Sequence, residues 1–121
     1  EIKQSKFRSE FQKTIINIYY TNCYIFSKFQ DILSEYKLTV QQYNILRILR
    51  GQFPKTASIG TIKERMLDKN SDITRIIDRL IIKQLAERKN SISDRRVAEI
   101  KITKKGLSLL KKMDLVDSVL K

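Results

Sequence analysis

The stretch from Ile73 to Thr103 constrains the fold more than any other part of this chain. Its first half spaces Ile73, Ile76, Ile77, Leu80 and Ile81 by threes and fours, the signature of a helix with one buried stripe. Asp72, Thr74, Arg75, Asp78, Arg79 and Lys83 fall on the opposite face. The apolar period then shortens to two. In Val97-Ala98-Glu99-Ile100-Lys101-Ile102, Ala98, Ile100 and Ile102 share one side, and Val97, Glu99 and Lys101 the other. Between the two patterns lie Ala86-Glu87-Arg88 and a polar turn ending Ser93-Asp94-Arg95-Arg96, which predict a β-hairpin with arginines at its tip. A cationic helix followed at once by such a hairpin suits a grooved polyanion. The helix matches a wide major groove and the hairpin the narrow groove beside it.

Charge supports the same partner. Lys and Arg number 25 against 13 Asp and Glu, a net charge of +12. A surplus of this size attracts nucleic acid or an anionic membrane. It gathers around the helix and hairpin: residues 63–105 hold 13 basic and 7 acidic side chains, whereas residues 1–38 hold 6 and 4. For any single lysine, a solvated surface role is the default.

Several chemistries are excluded by what is missing. Histidine is absent, which removes His-based acid–base catalysis, Ser-His-Asp triads and His-ligated metals. The glycines are Gly51, Gly60 and Gly106, so there is no Gly-rich phosphate loop. The expectation is a non-enzymatic protein without cofactor or metal. Cys23 is the single cysteine, which rules out an internal disulfide and fits a reducing cytoplasm. No apolar run approaches the ~20 residues of a membrane span, and no secretory leader is expected. Glu1 stands where a methionine would open a gene product, so trimmed ends are expected.

The remaining elements follow from periodicity and capping signals. Residues 5–36 read as one long helix, with Phe7, Phe11, Ile15, Ile18, Ile25, Phe29 and Leu33 among its apolar positions. Some 30 helical residues extend ~45 Å, long for a small domain and hard to bury alone, so a second subunit is the natural cover, with packing across the chain's own body as the alternative. Thr39-Val40-Gln41-Gln42 fits a capping box that starts a second helix ending near Gly51. A short third helix is expected over 58–67, with Ile59, Ile62 and Met66 inward. Ser71 or Asn70 caps the next helix, and Thr103 caps a last one along which Leu109, Met113, Val116 and Leu120 repeat, with Leu107 and Leu110 beside them. The expected fold is mainly α with a small β-hairpin: a winged helix-turn-helix over 38–103, flanked by long helices at 1–37 and 104–121, all within a single domain of 121 residues.

Four motifs in this order resemble the MarR/SlyA family of bacterial transcription regulators. Leu38-Thr39-Val40-Gln41-Gln42-Tyr43 is similar to the start of that family's second helix. Ile73-Thr74-Arg75-Ile76-Ile77-Asp78-Arg79-Leu80 resembles its recognition helix, Asp94-Arg95-Arg96 its Asp-x-Arg wing signature, and Thr103-Lys104-Lys105-Gly106 its Thr-x-x-Gly motif. The likeness covers roughly residues 38–110. It departs at Gln84, where the family often has glycine, and at Lys63, where a small residue is usual. The resemblance implies a homodimer joined through the first and last helices, binding palindromic operator DNA and often released by a small apolar or phenolic effector.

On this reading Thr74 and Arg75 reach base edges first, because they lie in the first turns of the recognition helix. Ser71 and Asp72 add phosphate or cytosine contacts, or serve only as caps and helix-start charge. Arg79 joins the same face. In the wing, Asp94, Arg95 and Arg96 contact DNA, with Arg95 the freer arginine for a narrow minor groove. The resemblance suggests that Asp78 pairs with Arg96 and orients the wing; the plain alternative is an exposed ion pair worth below ~1 kcal/mol. Arg47, Arg50, Lys55, Lys63, Lys69, Lys83, Arg88, Lys101, Lys104 and Lys105 are candidate phosphate contacts. Tyr19, Tyr20, Tyr24, Phe26 and Tyr43 are candidates for an effector pocket, against a default of core and interface packing. Cys23, with no adjacent Lys or Arg, reads as a buried, inert thiol. The expected function is an effector-responsive, cytoplasmic repressor binding double-stranded DNA as a homodimer. The alternative is a winged-helix protein–protein module without DNA binding, which Arg75, Arg79, Arg95 and Arg96 disfavour.

Overall fold

A computed structural model describes residues 2–90 and 97–120, with side chains described within 8–90 and 97–114. In chain order the elements are α1 (Ile2–Glu35), α2 (Val40–Gln52), β1 (Ala57–Ser58), α3 (Ile59–Arg65), α4 (Ile73–Ile82), β2 (Ala86–Asn90), β3 (Ala98–Ile102) and α5 (Lys104–Leu120). They fall into two units, Glu1–Lys37 and Leu38–Lys121.

The first unit is α1, an uninterrupted helix. Phe11, Ile15, Ile18, Tyr19, Ile25 and Phe26 are all exposed along it, by 45% to 64%. Cys23 is exposed too, so the expectation of a buried thiol is corrected. The cause is local: every residue from 8 to 28 is exposed, because one helix cannot bury its own stripe.

The second unit has a core drawn from each of its elements. Ile45, Leu46 and Leu49 from α2, Ile62 from α3, Ile77 and Leu80 from α4, Ile100 and Ile102 from β3, and Leu110 from α5 are all at most 2% exposed. α2 starts at the expected capping box. Gln42 N donates to Thr39 Oγ1 and Thr39 N to Gln42 Oε1, both at 3.1 Å. α3 is shorter than expected, capped at its start by Ser58 and ending before Met66. On α4, Ile73, Ile77 and Leu80 are buried, and Ile76 and Ile81 lie at the flanks of the stripe. Its cap is Asp72 rather than Ser71 or Asn70, with Oδ1 accepting from Arg75 N at 3.4 Å.

The sheet has one more strand than the hairpin. Its order is β1-β3-β2, all antiparallel. β2 and β3 pair from Ala86↔Ile102 to Asn90↔Ala98, while β1 adds Ala57↔Ile100 and Ser58↔Glu99. A two-residue strand is too short to show a period, so nothing local announces β1.

The join between α4 and α5 is built around one carbonyl. α4 ends in a Schellman motif: Leu85 N donates to Leu80 O at 3.0 Å and Gln84 N to Ile81 O at 2.9 Å. Gln84 takes the left-handed conformation this requires, at φ 64°, which accounts for the family's preference for glycine there. Thr103 then ties the start of α5 to this turn. Its N–H donates to Leu85 O at 3.1 Å, its hydroxyl donates to Gln84 O at 2.7 Å, and the same oxygen accepts from Gly106 N at 3.1 Å. A Cβ on Gly106 would lie 2.5 Å from Leu85 O and 2.7 Å from Ile102 Cγ1.

Two outcomes follow for stability. Gly106→Ala lowers it by about 1–3 kcal/mol through overpacking, although alanine is the better helix former by ~1 kcal/mol. Gln84→Gly raises it by up to ~1 kcal/mol by relieving the left-handed strain. Urea midpoints at an unchanged slope measure both, and a Gly106→Ala protein as stable as wild type contradicts the packing account.

Candidate nucleic-acid interface

Residues 66–72 hold α3 and α4 in place and are themselves tied down by polar contacts. Leu67 N donates to Asn44 Oδ1 at 3.1 Å, Asn70 N to Asp68 Oδ1 at 3.0 Å, and Ser71 N to Asp68 O at 3.3 Å. Lys69 Nζ reaches the carbonyls of Lys63 and Glu64 at the end of α3. A cation there satisfies carbonyls that the helix leaves without partners. Ser71 is half-buried, and its hydroxyl oxygen is enclosed without a hydrogen-bond partner among the described residues.

α4 turns a polar stripe to solvent. Thr74, Arg75, Asp78, Arg79 and Ile82 are exposed, at steps of one helical face. Asp72, at its cap, is also exposed. The stripe is joined to the sheet by an ion pair between Asp78 Oδ1 and Arg88 Nη2, 2.9 Å apart. Arg88 is on β2, opposite Ile100 of β3. The exposed face of α4 and the strand leading into the wing therefore meet on one side. The partner found for Asp78 is Arg88; Arg96, the partner expected from the sequence, lies outside the described residues, as do Asp94 and Arg95. Arg88 carries no spacing signal, since ten residues and the α4 turn separate it from Asp78.

Many of the expected phosphate ligands have work inside the protein. Arg50 Nη1 lies 2.6 Å from Asp114 Oδ2, and Arg47 Nη1 lies 3.8 Å from Asp114 Oδ1. Lys83 Nζ donates to Gln42 Oε1 at 3.1 Å, and Gln42 is 3% exposed. Lys105 Nζ donates to Lys83 O at 3.0 Å, and Lys101 sits over the Phe53 ring. Lys55, Lys63 and Lys104 are exposed.

The effector candidates fall in both units. Tyr19, Tyr20, Tyr24 and Phe26 are exposed on α1. A groove of about 430 Å³ on this helix is lined by Thr14, Asn17, Ile18, Thr21, Asn22 and Ile25 rather than by those aromatics. Tyr43, on α2, is half-buried; its hydroxyl accepts from Arg47 Nη1 at 3.3 Å and its ring lies under that guanidinium. Among the described residues there is no cluster of metal-ligating side chains, and no helix is long and apolar enough to cross a membrane.

The MarR family profile matches residues 38–98, which span α2 through the start of β3. Among solved structures, a MarR transcription factor from Planctomyces limnophilus is 36% identical, with 89% of this chain and 76% of that one aligned at a TM-score of 0.75. A MarR-like transcription regulator from Bacillus cereus is 20% identical over 88% of this chain and 76% of that one, at a TM-score of 0.77. A variant of MarR from E. coli complexed with operator DNA is 25% identical over 69% of this chain and 58% of that one, at a TM-score of 0.60. No curated protein matches the chain significantly. The winged helix built from α2 to β3, the profile match across it and the 36% identity over nearly the whole length together make this chain a member of the MarR family of transcription regulators.

Proposed function

We propose that this protein is a sequence-specific regulator that binds double-stranded DNA as a homodimer on a palindromic operator and acts as an effector-responsive repressor in the cytoplasm. The observation that carries the reading is the solvent-facing stripe of Thr74, Arg75, Asp78 and Arg79, joined by the 2.9 Å Asp78–Arg88 pair to the strand that leads into the wing. Thr74 offers a methyl to thymine and Arg75 a bidentate donor pair to guanine. Arg79 lies one turn further along the same face. Asp72 serves first as the helix cap. Ser71, with its hydroxyl turned inward, contributes to DNA only by rotating outward. Asp94, Arg95 and Arg96 carry the wing contact, with Arg95 directed to the minor groove.

The apolar exposure of α1 supports the dimer. A row of Phe11, Ile15, Ile18 and Ile25 left in water is unusual for a monomer, and a second copy covers it. α1 and α5 are the proposed dimerisation helices. Tyr19, Tyr20, Tyr24 and Phe26 on α1 and Tyr43 on α2 are the candidate contacts for an apolar or phenolic effector, which acts by binding one dimer geometry better than another.

The interface reading is tested by binding duplex DNA across a salt series, with single-stranded RNA as the control. Log affinity for duplex falls by ~0.9 per phosphate neutralised for each decade of salt. Arg75→Ala costs about 1–3 kcal/mol on the preferred sequence and relaxes discrimination at one base position. Equal affinity for the RNA, or a flat salt response, sinks the assignment.

Asp78 gives an outcome of opposite sign to simple electrostatics. Removing its charge makes the protein more positive, yet Asp78→Asn weakens duplex binding because Arg88 no longer fixes the wing strand against α4. The pair is exposed, so its effect on global stability stays below ~1 kcal/mol. Tighter binding by Asp78→Asn at moderate salt contradicts the role.

A further inference from the structure

We propose that Asp114, gripped by Arg47 and Arg50, is a positioning residue that sets the direction in which α5 leaves the DNA-binding body, and with it the spacing of the two recognition helices. The inference rests on the homodimer reading above.

α5 is held at two points. At its start, Thr103 and Gly106 lock it against the Leu85 carbonyl, and Lys105 Nζ bonds to Lys83 O at the end of α4. Further along, Leu110 and Met113 are 1% and 4% exposed, and α5 packs on α2. Asp114 follows on the same stripe, four residues after Leu110. Each of its carboxylate oxygens faces a different turn of α2: Oδ2 is 2.6 Å from Arg50 Nη1 and Oδ1 is 3.8 Å from Arg47 Nη1. Arg47 is itself steadied by the Tyr43 hydroxyl and ring. A slide of α5 by one turn, ~5.4 Å, or a rotation by one residue, ~100°, separates the carboxylate from both guanidiniums. The apolar contact alone does not discriminate so sharply, because leucine and methionine repack.

Two anchors define a line. The first is tied directly to the end of the recognition helix and the second to α2. Without the second, only the packing of Leu110 and Met113 resists a tilt of α5 about its N-terminal anchor. Over the 17 residues from Lys104 to Leu120, about 25 Å, a tilt of ~10° displaces the helix axis by ~4 Å. That is about the rise of one base pair, ~3.4 Å. If α5 carries the partner subunit, the clip sets the operator spacing to within about one base pair.

The test uses the full chain and duplexes built from the half-site that wild type selects from a random-sequence pool. Two copies of the half-site are separated by spacers varied in single base-pair steps, and a single half-site is measured beside them. Wild type favours one spacer over its neighbours by about tenfold or more. Asp114→Asn loses most of that preference while keeping wild-type affinity for the single half-site and wild-type sedimentation as a dimer. Asp114→Glu, which keeps the carboxylate, retains the preference. An Asp114→Asn protein with the wild-type spacer ratio, even with uniformly tighter binding from its added positive charge, overturns the clip alone. A wild type that sediments as a monomer or shows no spacer preference overturns the dimer reading and the clip with it.

Discussion

The Leu85 carbonyl is the point on which the rest of the winged-helix unit depends. It accepts the Thr103 amide, and Gly106 leaves room for it where any Cβ would collide. The same turn ends α4 through the Leu80 and Ile81 carbonyls and launches β2 at Ala86. One backbone group thus fixes the relative placement of α4, the sheet and α5. Backbone hydrogen bonds suit this task better than side-chain packing, because their geometry tolerates little displacement. The Thr-x-x-Gly motif is the sequence trace of that arrangement: the hydroxyl closes the helix start, and the glycine admits the carbonyl.

The positive charge of the chain divides into two populations. Arg47, Arg50, Lys69, Lys83, Arg88 and Lys105 each bind a carboxylate, an amide oxygen or a helix-end carbonyl within the protein. Arg75 and Arg79 stand on the solvent face of α4. Several of the cations behind the net charge of +12 are therefore already paired within the protein. The long-range attraction remains, since a charge held in an exposed ion pair network with few acids still contributes to the field. What the internal contacts add is rigidity: ion pairs and charged hydrogen bonds brace the joints that the backbone bonds around Leu85 set.

Much of this was legible without coordinates. The Thr39–Gln42 capping box, the stripe of Ile73, Ile77 and Leu80, the alternation of Ile100 and Ile102, and the Thr103 cap all use short-range rules that a single chain segment satisfies alone. The misses share a different property. β1 has two residues and exists only because β3 offers an edge. The α4 cap moved to Asp72, since the bonds of residues 68–71 to one another set where the helix begins. Arg88 and Asp114 found partners 10 and 64 residues away, through contacts that no local pattern encodes.

By itself, the amino-acid sequence determined which of the longer segments are helix or strand, which face of each is apolar, and that basic residues gather between residues 63 and 105. Those properties follow from periodicity, capping chemistry and charge, all of which act within a few residues. Tertiary structure alone decided which cations face solvent and which pair with carboxylates, where α4 begins, and that Asp114 of α5 meets Arg47 and Arg50 of α2. Each of those depends on the distance between side chains remote in the chain, and an ion pair or a hydrogen bond forms only within a few ångströms.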